Sequence, residues 1–242
     1  MGGGSSELVM LRTYKQMKNK NFEQSWDEYS LAENDRIRSV YQDLLGKFLD
    51  CAEHSTPEKK EKFVFNLSSK IIDKNDSFPL RMPLFERLLF PVLYNGFLDN
   101  KKNCARWLAG FSLYIFKSTL ARKELGDNIH PNYFLEKALA LDPNDNLARG
   151  ELIKKLAYEL EYSIHEVPTY VLWDNSVADI ESCKMLQDKL ESFTSHVKIA
   201  DQEDIYSELI RECKFHFQQY QNYLKNIREC ESYAQHIESL TA

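Results

Sequence analysis

Glycine and proline are scarce in this chain, at 8 and 7 of 242 residues. A sandwich or barrel of many short strands needs more turn residues than that, so those folds are excluded. Long apolar runs are missing too. The most apolar stretches are broken by Glu86-Arg87 and by Arg106, well short of the roughly 20 residues of a membrane-spanning helix. No positively charged start leads into an apolar run, so no signal peptide is expected. The five cysteines, Cys51, Cys104, Cys183, Cys213 and Cys230, are odd in number and include no close pair. That is a poor basis for a disulfide framework, and the expectation is reduced thiols in the cytoplasm. Without a secretory route, the triplets Asn66–Ser68 and Asn75–Ser77 match the glycosylation pattern by chance.

What the chain does have is helical periodicity. Hydrophobic residues make up 43% and charged residues 28%, which is ordinary for a globular protein and argues against wholesale disorder. Ile37, Val40, Tyr41, Leu44, Leu45, Phe48 and Leu49 draw one apolar stripe on a helix. Thr56-Pro57 then reads as a cap followed by a first-turn proline, and Phe63, Leu67 and Ile71 continue that helix's buried face. Leu84–Leu98 and Asn103–Phe116 predict a nearly all-apolar hairpin, with Pro91 kinking or splitting its first arm. Gly96 and Gly110 would let helices approach closely there.

Further on, Tyr133–Leu141 and Leu147–Ile164 predict two helices, and Thr169–Trp173 reads as an extended connector. Ser176 with Asp179 resembles a capping box ahead of the stripe Ile180, Cys183, Leu186, Leu190 and Phe193. A coiled-coil-like seam from Ile205 to Ile237 predicts one helix over residues 202–239, roughly 57 Å long if unbroken. The expected fold is therefore all-α: about eight helices in an irregular or repeat-like antiparallel stack with a long C-terminal helix. Residues 1–30 are expected to form a loosely ordered arm, or a short helix docked through Tyr14, Phe22, Trp26 and Tyr29. Residues 31–242 are expected to be a single all-helical domain.

The segment Phe134-Leu-Glu-Lys-Ala138-Leu139-Ala-Leu141-Asp-Pro143-Asn144 resembles the second helix and closing turn of a tetratricopeptide repeat. The resemblance covers about a dozen residues. The Trp, Leu-Gly and Tyr of the repeat's first helix have no match upstream, and no second copy follows at a period of about 34 residues. It implies an antiparallel helical hairpin and a scaffold that binds peptides or proteins.

Motifs that announce catalysis are absent. There is no glycine-rich phosphate loop, no dinucleotide fingerprint and no Gly-x-Ser-x-Gly elbow. His165-Glu166 begins like a zinc-protease motif, but Thr169 stands where the second His is needed. His165 suits a helix C-terminus instead, where the dipole favours it. Cys213 and His216 lie one helical turn apart, yet Cys230 would be about 21 Å beyond His216 on a straight helix, too far to share a metal unless the helix breaks. Glu86, Arg87 and Arg106 must pair or reach the surface, and either arginine could line an anion pocket. No catalytic, cofactor-binding or metal-binding set is therefore expected.

Charge gives the functional lead. Residues 1–121 hold 18 basic and 15 acidic residues, whereas residues 122–242 hold 13 and 22. An acidic half of net charge −9 repels phosphate backbones and attracts basic partners. The expectation is a non-catalytic cytoplasmic interaction module, of inhibitor or immunity type, that binds a basic protein. Its candidate contacts are the aromatics Tyr158, Tyr162, Tyr170 and Trp173 and the acids Asp174, Asp179, Glu181, Asp201, Glu203 and Asp204. Nucleic acid is disfavoured, no membrane is implied, and the final helix offers a route to a homo-oligomer. The alternative is an enzyme or ligand receptor using His165, Glu166 and an arginine of the central hairpin.

Overall fold

The structure is a computed structural model that describes residues 21–34, 38–169, 172, 179–226 and 230–241. Among the described residues it is entirely helical, with twelve helices rather than eight and no strand. None of these helices is long and apolar enough to cross a membrane. The chain divides at Leu141–Asp142 into two compact units.

The first unit begins with α1 (Phe22–Asn34), which packs on α2 (Arg38–Glu53). Phe22, Trp26 and Tyr29 lie at helical spacing and dock α1 through rings. Phe22 is 5.1 Å from Phe48 and 5.0 Å from Phe63, and Trp26 is 4.8 Å from Phe63. Edge-on and tilted aromatic pairs at these distances add attraction beyond their buried area. The helix α3 (Pro57–Ser68) starts as its sequence predicts: Thr56 accepts from Lys59 N–H, and Pro57 stands in the first turn. It runs into a π-helical turn, Ser69–Asp73.

The helix α4 runs through Met82–Leu84, a second π turn at Phe85–Leu89, and Phe90–Leu98. The π turn is the answer to Pro91. Proline cannot donate an N–H and its ring crowds the carbonyl four residues back. Widening that turn, with Phe90 N–H bonding Phe85 O, lets the helix continue past the proline instead of breaking. The expected second arm is shorter than its apolar run suggests. It divides into α5 (Cys104–Gly110) and α6 (Ser112–Lys117), and α7 (Thr119–Leu125) follows beyond it. Phe111 leaves helical geometry, and Ser118 turns extended so that its hydroxyl caps Ala121 N–H.

Both glycines in the hairpin mark close approaches. A Cβ on Gly96 would lie 2.6 Å from Cys104 Sγ, and one on Gly110 would lie 2.6 Å from Ile72 Cδ1. Helix α8 (Pro131–Leu141) packs on α5, so α5 is buried all round from Cys104 to Ala109, Arg106 included. Asp73 carries that buried charge: it pairs with Arg106 and accepts from Trp107 Nε1–H at 3.0 Å. Arg87, by contrast, reaches the surface and pairs with Asp50 and Glu53, while Glu86 accepts from the Ser118 hydroxyl.

The second unit is built on α9 (Asn146–Ile164), α10 (Ile180–Ile199) and α11 (Glu203–Lys225). Glu159 pairs with Lys189 at 2.6 Å, and Arg149 meets His196 at 3.0 Å, so α9 and α10 run antiparallel. Gln187 to Gln221 and Phe193 to Tyr206 give the same sense for α10 and α11. Asp179 caps α10 by accepting from Ser182 N–H, while Ser176 lies outside the described residues. The expected 202–239 helix is not continuous. It ends at Lys225 with Asn226 as its cap, and α12 (Tyr233–Thr241) follows. Folding α12 back lets the seam bury itself: Tyr233 sits 5.1 Å from Tyr220 and 5.9 Å from Tyr223.

Candidate functional site

Helix α9 buries Leu152, Leu156, Leu160 and Ile164 on one face and turns Tyr158 and Tyr162 outward. Four residues apart on a helix, these two side chains stack one above the other. Their rings lie 6.4 Å apart and 12° from parallel. His165 extends the ladder, its ring 4.8 Å from Tyr162 and 15° from parallel. The imidazole is tied down because Nδ1 lies 2.6 Å from Tyr162 O and Nε2 lies 3.5 Å from Glu166 Oε1. His165 is the C-cap of α9. Tyr158 remains 69% exposed and Tyr162 46% exposed, a large aromatic surface to leave in water.

Antiparallel packing brings the start of α10 to this same end of the unit. Asp179 is exposed there, and its bonds to the Ser182 backbone and hydroxyl hold its carboxyl below the usual carboxylate range. Glu181 is also exposed, 3.4 Å from Lys184. The end of the unit that carries the ladder therefore also carries these two carboxylates.

The ten residues expected from sequence do not form one surface. Tyr158, Tyr162, Asp179 and Glu181 gather at the α9–α10 end. Asp201, Glu203 and Asp204 lie at the opposite end of α10, around the turn into α11. Twenty helical residues put about 30 Å between the two acidic groups. Tyr170, Trp173 and Asp174 lie outside the described residues. His165, which the sequence offered for the alternative pocket with Glu166, joins this stack, and its place three residues after Tyr162 carried the signal.

Other reactive groups are quiet. Burial pushes the Cys104 and Cys213 thiols up to about 12 and the Cys183 thiol up to about 11, so none is a thiolate nucleophile near neutral pH. His216 Nδ1 lies 2.9 Å from Tyr233 Oη, and burial lowers its pKa. Among the described residues no three His, Cys, Asp or Glu side chains converge to hold a metal ion. The hairpin arginines, Arg87 and Arg106, are already engaged by carboxylates. No protein-family model, curated protein or solved structure matches this chain.

Proposed function

We propose that the protein is a non-catalytic binding module that engages a basic protein through the aromatic and acidic end of its second unit. The observation that carries this reading is the exposed Tyr158–Tyr162–His165 stack. The face of Tyr158 turned away from Tyr162 suits the guanidinium or ammonium of a partner's Arg or Lys, and Asp179, Glu181 and Glu166 supply the charge that completes such contacts. Residues 142–242 hold 10 basic and 19 acidic residues, net −9, against +3 for residues 1–141. That field steers a basic partner toward the second unit and repels nucleic acid. The tetratricopeptide-like segment agrees with a peptide- or protein-binding role.

The test compares proteins retained from native lysate by the immobilised wild-type chain and by a Tyr158→Ser/Tyr162→Ser variant. A basic protein held stoichiometrically by wild type, released at high salt and lost in the variant supports the reading. The same retained set on both overturns it. Reversing Asp201, Glu203 and Asp204 to lysine probes the opposite end, and is expected to slow association without abolishing it.

A further inference from the structure

Three adjoining cavities open along one face of the first unit. One, of about 510 Å³, lies between α1 and α3 and is walled by Trp26, Phe63, Phe78 and Lys70. A second, of about 580 Å³, shares Ile71, Asp76, Ser77 and Phe78 with the first and adds Glu33, Tyr41 and Arg81. A third, of about 380 Å³, shares Tyr41 and Arg81 and extends to Leu45 and Pro83. Helical spacing makes the groove continuous. Trp26, Ser30 and Glu33 line one face of α1, and Phe63, Asn66 and Leu67 line one face of α3, which Lys70 continues into the π-helical turn.

At the centre of the groove stands a fixed guanidinium. Arg81 donates from Nε at 2.9 Å and from Nη2 to the same oxygen, Glu33 Oε1. Its Cζ lies 4.8 Å over the Tyr41 ring. The Glu33 side chain is 1% exposed, whereas that of Arg81 is 42% exposed. A buried carboxylate thus anchors the inner edge of the guanidinium, and Nη1, which that carboxylate does not engage, belongs to the outer edge. Burying such a carboxylate adds little stability over an apolar side chain, because desolvation offsets the attraction. Burial, then the charge of the neighbouring Glu33 carboxylate and its hydrogen bond, raise the pKa of the Tyr29 hydroxyl, so the same carboxylate serves both groups. What the arrangement secures is orientation: a planar, always charged donor held in a groove wall beside aromatic rings. Lys70 adds a second cation, and the exposed Asp76 stands at the shared rim.

We propose that this groove binds a small aromatic ligand carrying one anionic group, its ring against Trp26, Phe63 and Phe78 and its carboxylate or phosphate at Arg81. Both anions match the guanidinium fork, and the adjoining cavities of about 510 Å³, which holds the rings, and about 580 Å³, which holds Arg81, each fall within the size range of small-molecule sites. Paired probes that differ in charge test the idea on the full chain. Indole-3-acetate is compared with tryptamine, and adenosine 5′-monophosphate with adenosine, by calorimetry and by the Trp26 indole N–H resonance. At least one anion is expected to bind at least about tenfold more tightly than its cationic or neutral counterpart, and to shift that resonance. Which anion binds distinguishes a carboxylate from a phosphate ligand. In the double variant Glu33→Gln/Arg81→Gln, which removes both charges together, the preference for anions is expected to disappear. The proposal is overturned if neither anion moves the Trp26 resonance at millimolar concentration, if tryptamine and adenosine match both anions in wild type, or if the folded double variant keeps the preference.

Discussion

Two buried charges in this protein are held in different ways, and each leads to a measurable consequence. Arg149 is buried, and its guanidinium goes to the Pro143 carbonyl and to His196 Nδ1. To accept at Nδ1, His196 must be neutral. Burial, and then the Arg149 charge, lower its pKa. The unfolded chain therefore binds a proton at higher pH than the folded one, and stability rises with pH across that interval. The contribution of His196 is complete above about pH 6.5 and declines as pH falls from there through the folded pKa. Comparing wild type with His196→Asn by denaturant titration isolates this group from His216, whose pKa burial also lowers. The variant's deficit is expected to be larger at about pH 7.5 than at about pH 5.5, on either side of the ordinary histidine value; an equal deficit would reject the linkage. Asp73 is the second case. Asp73→Ala removes the carboxylate that faces Arg106 and Trp107 Nε1 in a nearly dry site. A loss of about 3 kcal/mol is expected, read as a lower denaturant midpoint with an unchanged slope.

At the scale of helices, Gly110 and Gly96 set how closely neighbours approach. An added methyl at Gly110 meets three carbons of Ile72 within 3.0 Å. Gly110→Ala is therefore expected to cost about 1–3 kcal/mol through overpacking, more than the gain of up to about 1 kcal/mol in helix propensity. Ile72→Ala should relieve the clash, so the double variant is expected to lose less than the two single losses combined. These contacts were foreseeable only in kind: a glycine in an apolar helix signals closeness, but nothing local names Ile72. The same divide runs through the other elements. Thr56-Pro57, and the stripes that bury Leu44, Phe48, Leu186 and Leu190, were legible because they depend on neighbours a few residues away. The breaks at Phe111 and Ser118 were not, because Ser118 leaves the helix to serve both Ala121 and Glu86, a carboxylate 32 residues distant. The end of α11 was hidden for a similar reason: an unbroken apolar seam satisfies one long helix or two that fold together. In the candidate site, the Tyr158–Tyr162 stack follows from spacing, whereas the Glu33–Arg81 pair spans 48 residues and leaves no local trace.

For the molecule as a whole, charge and compactness divide at the same place. The unit from residue 142 onward holds the −9 excess, and the preceding one carries +3. The second unit has its own interior of Leu160, Cys183, Phe193, Phe217, Tyr220 and Tyr233, all buried. A core drawn from four helices of one unit is what cooperative unfolding requires, so a fragment of residues 142–242 is expected to melt cooperatively by circular dichroism. Its charge should show in that melt. Nineteen acidic residues against ten basic ones repel one another across a small surface. That repulsion acts over about 30 Å at 0.01 M salt and about 8 Å at 0.15 M. Raising salt across this range is expected to raise the fragment's melting temperature, because screening relieves the compact state more than the expanded one. A Lys-rich peptide added at low salt should do the same by binding the acidic face, and its effect should vanish at high salt. If salt alone stabilises and the peptide does not, the acidic field is diffuse repulsion with no binding face, and the case for a basic partner loses its electrostatic half.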